Sequence, residues 1–277
     1  MQNPFVTTDW LAGRLTDPGL VIIDASWYLP TANRKPYEEY LAGHIPGAVY
    51  FDMDEIADKS TGLPHMLPSP EAFARDVGKL GIGDGMTIVI YDESGLFSAP
   101  RIWWEFQAMG APDVRILEGG GPKWRAEGRS IEAGPVTREP AVFTPDFHPE
   151  LVKDFGDVRA AIATRGQIAD ARPAGRFAGR DPEPRAGLQS GHMPGAVSLP
   201  AMELVKNGSL KPLDELGTMF AAAGLDYDRP IITSCGSGAT AATLLLALKL
   251  AGAKDVAVYD GSWAEWGARD DAEVVKD

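Results

Sequence analysis

The chain has little of what metal sites and disulfides require. Its 277 residues include one cysteine and four histidines. A single cysteine excludes an internal disulfide and is typical of proteins from a reducing compartment. One thiol and four scattered histidines are too few for a zinc site, so we expect no metal.

Basic residues and long apolar runs are also scarce. The chain has 26 lysines and arginines against 39 acidic residues, a net charge of -13. This balance argues against nucleic acid or an anionic membrane as a partner. No segment is apolar over eighteen residues, as a membrane span requires. Residues 1–5 show no basic region before an apolar run, so we expect no secretory signal and a cytoplasmic location.

The one cysteine follows a segment that predicts a buried strand, residues 231–233 (Ile-Ile-Thr). A leucine-rich helix is predicted over residues 239–251. The loop between them contains Cys235, Gly236, Ser237 and Gly238. Backbone N–H groups and the helix dipole favour an anion at such a loop, and therefore a reactive thiolate. The alternative is a buried structural cysteine. The convergence of strand, glycine loop and helix favours the reactive thiol.

The second half of the sequence repeats the first. Matching segments keep their order at offsets of 142 to 148 residues: 22–26 with 168–172, 43–49 with 191–197, 88–91 with 231–234, and 110–114 with 252–256. We therefore predict a duplicated α/β domain, each copy with a mainly parallel sheet and helices on both faces. The predicted division is a first domain over residues 1–138, a linker over 139–150 and a second domain over 151–277.

The two copies differ at the loop that carries the cysteine. Asp92 occupies the position in the first half that Cys235 occupies in the second. A carboxylate cannot act as the thiol does, so we predict that the first copy is inactive. It is expected to form one wall of a cleft between the domains.

Three motifs make this chain similar to the two-domain rhodaneses, and among them to the 3-mercaptopyruvate sulfurtransferases. They are the glycine loop, the repeated Gly-His-Ile/Met-Pro-Gly-Ala segment, and residues 259–266 (Tyr-Asp-Gly-Ser-Trp-Ala-Glu-Trp). The resemblance covers nearly the whole chain and implies tandem rhodanese-like domains that need no cofactor. It implies a persulfide on Cys235, stabilised by the loop that follows: Gly236, Ser237, Gly238, Ala239 and Thr240.

The loop also bears on the sulfur donor. Rhodaneses that use thiosulfate tend to carry basic residues just after the cysteine, where this chain has Gly236 and Ser237. Mercaptopyruvate carries its charge on a carboxylate several atoms from the sulfur, so its cation should stand away from the loop. The arginines that hold this donor in the family match Arg176 and Arg185, and a guanidinium fork suits a carboxylate.

The resemblance further implies a serine–histidine–aspartate relay. Its serine and histidine match Ser237 and His44, but residues 29–38, just before His44, contain no aspartate. Either Glu38 or Asp52 substitutes, or the relay is not required. His44 lies in the motif that His192 repeats, so a structural role in a turn is the alternative.

The sequence thus predicts an enzyme that moves sulfur from 3-mercaptopyruvate through a Cys235 persulfide to an acceptor, releasing pyruvate. The acceptor would be a thiol, such as that of a thioredoxin-like protein, or cyanide. Alternatives are a thiosulfate sulfurtransferase and a non-catalytic sulfur carrier or regulatory module. A cysteine phosphatase is disfavoured because Ala241 stands where its loop requires an arginine.

Overall fold

The computed structural model describes residues 3–277, so Met1 and Gln2, with which the predicted first domain begins, lie outside it. The first half contains β1 Phe5–Val6, α1 Thr8–Ala12, β2 Leu20–Asp24, α2 Pro36–Ala42, β3 Ala48–Tyr50, α3 Pro70–Lys79, β4 Thr87–Tyr91, α4 Ala99–Ala108, β5 Val114–Leu117 and α5 Gly120–Ala126. The second half contains β6 Val152–Lys153, α6 Phe155–Ala163, β7 Gln167–Asp170, α7 Ala174–Phe177, β8 Val197–Ser198, β9 Val205–Lys206, β10 Ser209–Leu210, α8 Leu213–Ala222, β11 Ile231–Ser234, α9 Ala239–Leu250, β12 Val256–Tyr259 and α10 Ser262–Trp266. Single 3-10 turns lie at Pro30–Ala32, Pro149–Leu151 and Ala201–Glu203.

Each half forms a five-stranded sheet, with the order β1-β5-β4-β2-β3 in the first and β6-β12-β11-β7-β8 in the second. The two orders are the same when the strands of each half are counted from its own start and the β9–β10 hairpin is left out of the count. All pairings within both sheets are parallel. The antiparallel β9–β10 hairpin stands apart. The predicted duplicated α/β fold is therefore confirmed.

Local sequence signals account for where several helices begin. Ser69 caps α3, because its side chain accepts a hydrogen bond from the backbone N–H of Ala72, and Pro70 fills the first turn. A capping box joins Asp154 and Asp157 at the start of α6. These helices begin where the chain offers their first N–H groups an acceptor.

Helices α4 and α9 pack against each other at the centre of the molecule, one from each half. Nine of the ten residues of α4 are buried, and α9 buries leucines on all sides. A helix that is apolar all round is expected inside a protein rather than on its surface. The largest hydrophobic cluster runs from one half into the other through these two helices. Smaller clusters cover the opposite face of each sheet.

Each half also extends a segment that forms hydrogen bonds with the other half. The connection from β3 to α3 (residues 51–69) reaches the second half, where the backbone N–H of Leu67 donates to Asp260 over 2.7 Å. In return, the β9–β10 turn contacts the first half, where the N–H of Gly119 donates to the Gly208 carbonyl over 3.2 Å. The segment after α5 runs back along the first half, with the N–H of Asp146 bonded to the Met109 carbonyl over 3.0 Å. The exact limits of the linker stay a prediction.

Candidate active site

Cys235 lies between the end of β11 and the start of α9 and is only 2% exposed. Its backbone N–H donates to the hydroxyl of Ser262 over 3.1 Å, and that hydroxyl donates to the Tyr259 carbonyl over 2.8 Å. Gly238 ends the loop with φ at +80°, a conformation in which a β-carbon is strained. The cysteine is therefore held by β12 and α10 from behind.

The amides of the loop are ready to bind an anion. Within residues 3–277, no protein group accepts a hydrogen bond from the backbone N–H groups of Ser237, Gly238, Ala239 or Thr240. These groups lie at the N-terminus of α9, where the helix dipole adds positive charge. The predicted loop residues thus come together around Cys235.

The matching loop of the first half is filled by its own carboxylate. Asp92 accepts hydrogen bonds from the backbone N–H groups of Ser94, Phe97, Ser98 and Ala99 at 2.8 to 2.9 Å. The side chain is fully buried. The anion position of this loop is therefore already occupied by the protein itself.

The histidine beside Ser237 is His65, which comes from the first half. Its Nδ1 lies 3.1 Å from the Ser237 hydroxyl, and its Nε2 lies 3.0 Å from a carboxylate oxygen of Asp54. A carboxylate only accepts, so Nε2 carries the proton and Nδ1 can accept from the serine. The indole of Trp27 also donates to Asp54 over 2.9 Å. The hydrogen bond from His65, followed by that from Trp27, lowers the pKa of Asp54 against the opposing effect of burial.

This arrangement corrects the predicted pairing of Ser237 with His44. His44 is fully buried in the first half, where its ring stacks on Tyr40 at 4.1 Å and bonds to the Tyr40 carbonyl over 2.8 Å. His192 makes the matching contacts in the second half, with the Phe177 ring at 3.8 Å and its carbonyl at 2.9 Å. The repeated motif therefore places both histidines in the same structural role.

Arg176 lies beside the loop. It is the last member of a series of ion pairs between arginine and acidic side chains. A β-carbon on Gly236 would stand 3.1 Å from its guanidinium. Glu183 binds Arg176 with one carboxylate oxygen and Arg172 with the other, the latter over 2.8 Å. Arg172 in turn is buried against Asp170 over 2.7 Å. The ion pair with Glu183 thus fixes Arg176 with its guanidinium toward the loop.

Arg185 is half-buried and, among the described residues, makes no side-chain hydrogen bond or ion pair. Burial lowers the pKa of Arg185, and its Coulombic interaction with Cys235 acts in the opposite direction. The nearby charges of Arg176 and Asp54 also act on it. Both predicted arginines are therefore close to the cysteine loop, as is Asp54.

Sequence reasoning missed His65, Asp54 and Glu183. A signal for the first two was present, because Asp54 precedes His65 at short range, as the relay requires, whereas no aspartate directly precedes His44. The repeated motif around His44 is the stronger local pattern. No signal pointed to Glu183 beyond its place between the two arginines.

The fold and this site define a two-domain α/β protein with one thiol loop at the interface of its halves. A family model for the rhodanese-like domain matches residues 7–127 and again residues 154–269. The chain therefore belongs to the rhodanese-like family, and it carries two copies of the domain.

Relatives of known activity are similar over nearly the whole chain. The 3-mercaptopyruvate sulfurtransferase of Escherichia coli (strain K12) is 47% identical over 272 residues, 98% of this chain and 97% of its own. The thiosulfate sulfurtransferase of Bos taurus is 42% identical over 275 residues, 96% of this chain and 92% of its own. The crystal structure of SseA from Escherichia coli, described as a 3-mercaptopyruvate sulfotransferase, superposes with a TM-score of 0.87 at 45% identity, covering 94% of this chain and 99% of that one. These relatives confirm the predicted resemblance and sulfur-transfer function.

Within residues 3–277, no group of three or more histidine, cysteine or acidic side chains could hold a metal ion. No helix in that range has the length and apolar character needed to cross a membrane.

Proposed function

We propose that this chain transfers sulfur from 3-mercaptopyruvate through a persulfide on Cys235 to an acceptor and releases pyruvate. The observation that carries the proposal is the meeting of three groups at one loop. They are a thiol beside unpartnered backbone N–H groups, the array of Ser237, His65 and Asp54, and the two arginines Arg176 and Arg185. Each of the three groups is assigned one task in the reaction: forming and stabilising the persulfide, moving the proton, and binding the donor carboxylate.

In the first half of the reaction, the Cys235 thiolate attacks the sulfur of mercaptopyruvate. A sulfur–sulfur bond forms and the carbon–sulfur bond breaks, with its electron pair left on the carbon as pyruvate enolate. The proton of the donor thiol ends on that carbon, which gives pyruvate and the anionic persulfide. Ser237 and His65 pass this proton, while Asp54 keeps the imidazole oriented. The unpartnered amides of residues 237–240 stabilise the persulfide anion.

In the second half of the reaction, an acceptor thiol attacks the outer sulfur and leaves with it. The Cys235 thiolate returns and the acceptor carries the persulfide. Because the chain has one cysteine, no second thiol of its own can resolve the persulfide. The acceptor is therefore external, a thiol such as that of a thioredoxin-like protein, or cyanide. The proposed location is the cytoplasm, where such thiols are kept reduced.

The donor is the point that the relatives leave open, because both mercaptopyruvate and thiosulfate enzymes are similar to this chain. The loop favours mercaptopyruvate. Gly236 faces Arg176, so a basic side chain at position 236 would meet a guanidinium. Arg176 and Arg185 instead supply positive charge a short distance from the sulfur, where the carboxylate of mercaptopyruvate would lie. Thiosulfate is the second candidate donor.

The central experiment measures the mass of the protein after treatment with mercaptopyruvate, and pyruvate release in parallel. The wild type should gain one sulfur atom and release pyruvate. Cys235→Ser should do neither while it keeps its thermal unfolding midpoint. Full turnover by this variant would overturn the proposal.

The donor is tested by Arg176→Ala, with kcat/KM measured for both donors. Losing a charge-assisted hydrogen bond costs about 1.5–3 kcal/mol, so the value for mercaptopyruvate should fall roughly ten- to hundredfold. Thiosulfate has no carboxylate, and its value should fall less. Equal losses for both donors would show that Arg176 supports the loop rather than the carboxylate.

A further inference from the structure

A buried arginine of the first half lies directly beneath the cysteine loop. Arg101, on α4, is fully buried at the interface of the two halves. A β-carbon on Gly238 would stand 2.7 Å from its guanidinium. One nitrogen of that group donates to Asp260 over 2.7 Å. Arg101 thus contacts the loop that carries the nucleophile although it belongs to the other domain.

The same guanidinium holds the segment that presents the relay histidine. It donates to the backbone carbonyl of His65, while Asp260 accepts from the backbone N–H of Leu67 over 2.7 Å. The segment around His65 is therefore held at two points. Arg101 binds it at one, and Asp260, which Arg101 also binds, holds it at the other. His65 has φ at +60°, so this strained backbone needs such contacts.

The third contact of Arg101 completes a buried ionic group. Its Nε donates to Glu105 over 2.8 Å, one turn further along α4. Burial would lower the pKa of Arg101, but the charges of Asp260 and Glu105 outweigh it and raise the pKa. Buried ion pairs of this kind contribute little to stability compared with apolar packing. Stability alone therefore does not account for this buried ionic group.

We propose that Arg101 is a positioning residue of the sulfur-transfer site, which sets His65 against Ser237 by binding the His65 carbonyl and Asp260 together. The proposal rests on the proposed function only for its kinetic test. A guanidinium can hold both acceptors and Glu105 at once because its donors form a planar fork. A lysine keeps the charge but presents one ammonium group and cannot reproduce this geometry.

The first test is kinetic and compares Arg101→Lys with Arg129→Lys, a surface arginine that pairs with Asp9 and Glu127. With mercaptopyruvate, Arg101→Lys should lower kcat at least tenfold. Its KM should stay within about twofold, because the donor-binding arginines are untouched. Arg129→Lys should change neither value. An unchanged kcat in Arg101→Lys would overturn the proposal.

The second test asks whether Arg101 acts through His65. In a His65→Ala background, Arg101→Lys should lower kcat by less than twofold, because the group that it positions is already gone. Equal losses in both backgrounds would show a general structural role and overturn the proposal. Should Arg101→Lys not fold, Asp260→Asn replaces it in the same cycle, with the same expected dependence on His65.

A spectroscopic readout separates this proposal from the function itself. Nitrogen-15 spectra of labelled histidine, with the His65 signals identified by their loss in His65→Ala, report on the ring without any turnover. The His65 signals should shift in Arg101→Lys and stay in place in Arg129→Lys. A wild type that releases no pyruvate would refute the proposed function alone, whereas unshifted His65 signals would refute the positioning role alone.

Discussion

Single residues meet in this site from distant parts of the chain. His65 and Ser237 are 172 residues apart in sequence and come from different halves. No local pattern can predict such a contact, since periodicity and capping describe only neighbours along the chain. Cys235 was predictable because strand, glycine loop and helix surround it directly. The histidine was not, because the repeated motif at His44 and His192 offered a stronger local signal.

The two histidines of the first half should therefore respond differently to substitution. His65→Ala should lower kcat with mercaptopyruvate by about a hundredfold or more, because a group that transfers protons in the transition state is lost. Its free energy of unfolding should also fall by about 1–3 kcal/mol, because His65 is a buried ring with two hydrogen bonds. His44→Ala removes a buried ring and its hydrogen bond, so the free energy of unfolding should fall by about 1–3 kcal/mol with kcat unchanged. Steady-state kinetics and urea unfolding of both variants test this, and a reversed pattern would restore His44 to the site.

Among the elements, helices and strands with a continuous local signal were predicted well. The structure has β11 at Ile231–Ser234 where residues 231–233 were predicted, and α9 at Ala239–Leu250 where residues 239–251 were predicted. The β9–β10 hairpin was not predicted, because its two-residue strands are too short for a pattern. The four-residue α7 gave no helical signal either, although it carries Arg176.

The loop between β4 and α4 yields a prediction about the half without the cysteine. Asp92→Ala should leave turnover within about twofold, because this loop contains no nucleophile. It should lower the free energy of unfolding by about 1–3 kcal/mol or more, since four buried N–H groups lose their acceptor. Asp92→Asn keeps a carbonyl acceptor and should lose less. A hundredfold loss of turnover in a folded Asp92→Ala protein would show that this loop takes part in the reaction.

The whole molecule should become less stable as the pH rises through neutrality. Burial raises the pKa of Glu105 to about 7, although Arg101 opposes it, and burial raises that of Asp24 to about 6. Both carboxyls hold a proton more tightly when folded than when unfolded. The stabilisation is complete below the ordinary carboxyl pKa and is lost as the pH rises through the folded value.

Glu105→Gln should remove part of this dependence. Between about pH 5 and pH 8, the wild type should lose up to about 3 kcal/mol more unfolding free energy than the variant. Glu55→Gln, at an exposed pair with Lys59, is the matched control and should follow the wild type. Urea unfolding across this range measures the difference. Parallel curves for Glu105→Gln and the wild type would place the pH dependence elsewhere.

The contacts that segments of each half make with the other half restrict how this duplicated protein can evolve. A second domain separated from the first would keep Cys235, Arg176 and Arg185. His65, Asp54 and Arg101 would all be lost with the other half. The copy without a nucleophile therefore cannot be discarded, and neither copy can drift independently at the shared boundary. Selection on the chemistry of one domain acts on side chains encoded in the other, which ties the two halves of the gene together.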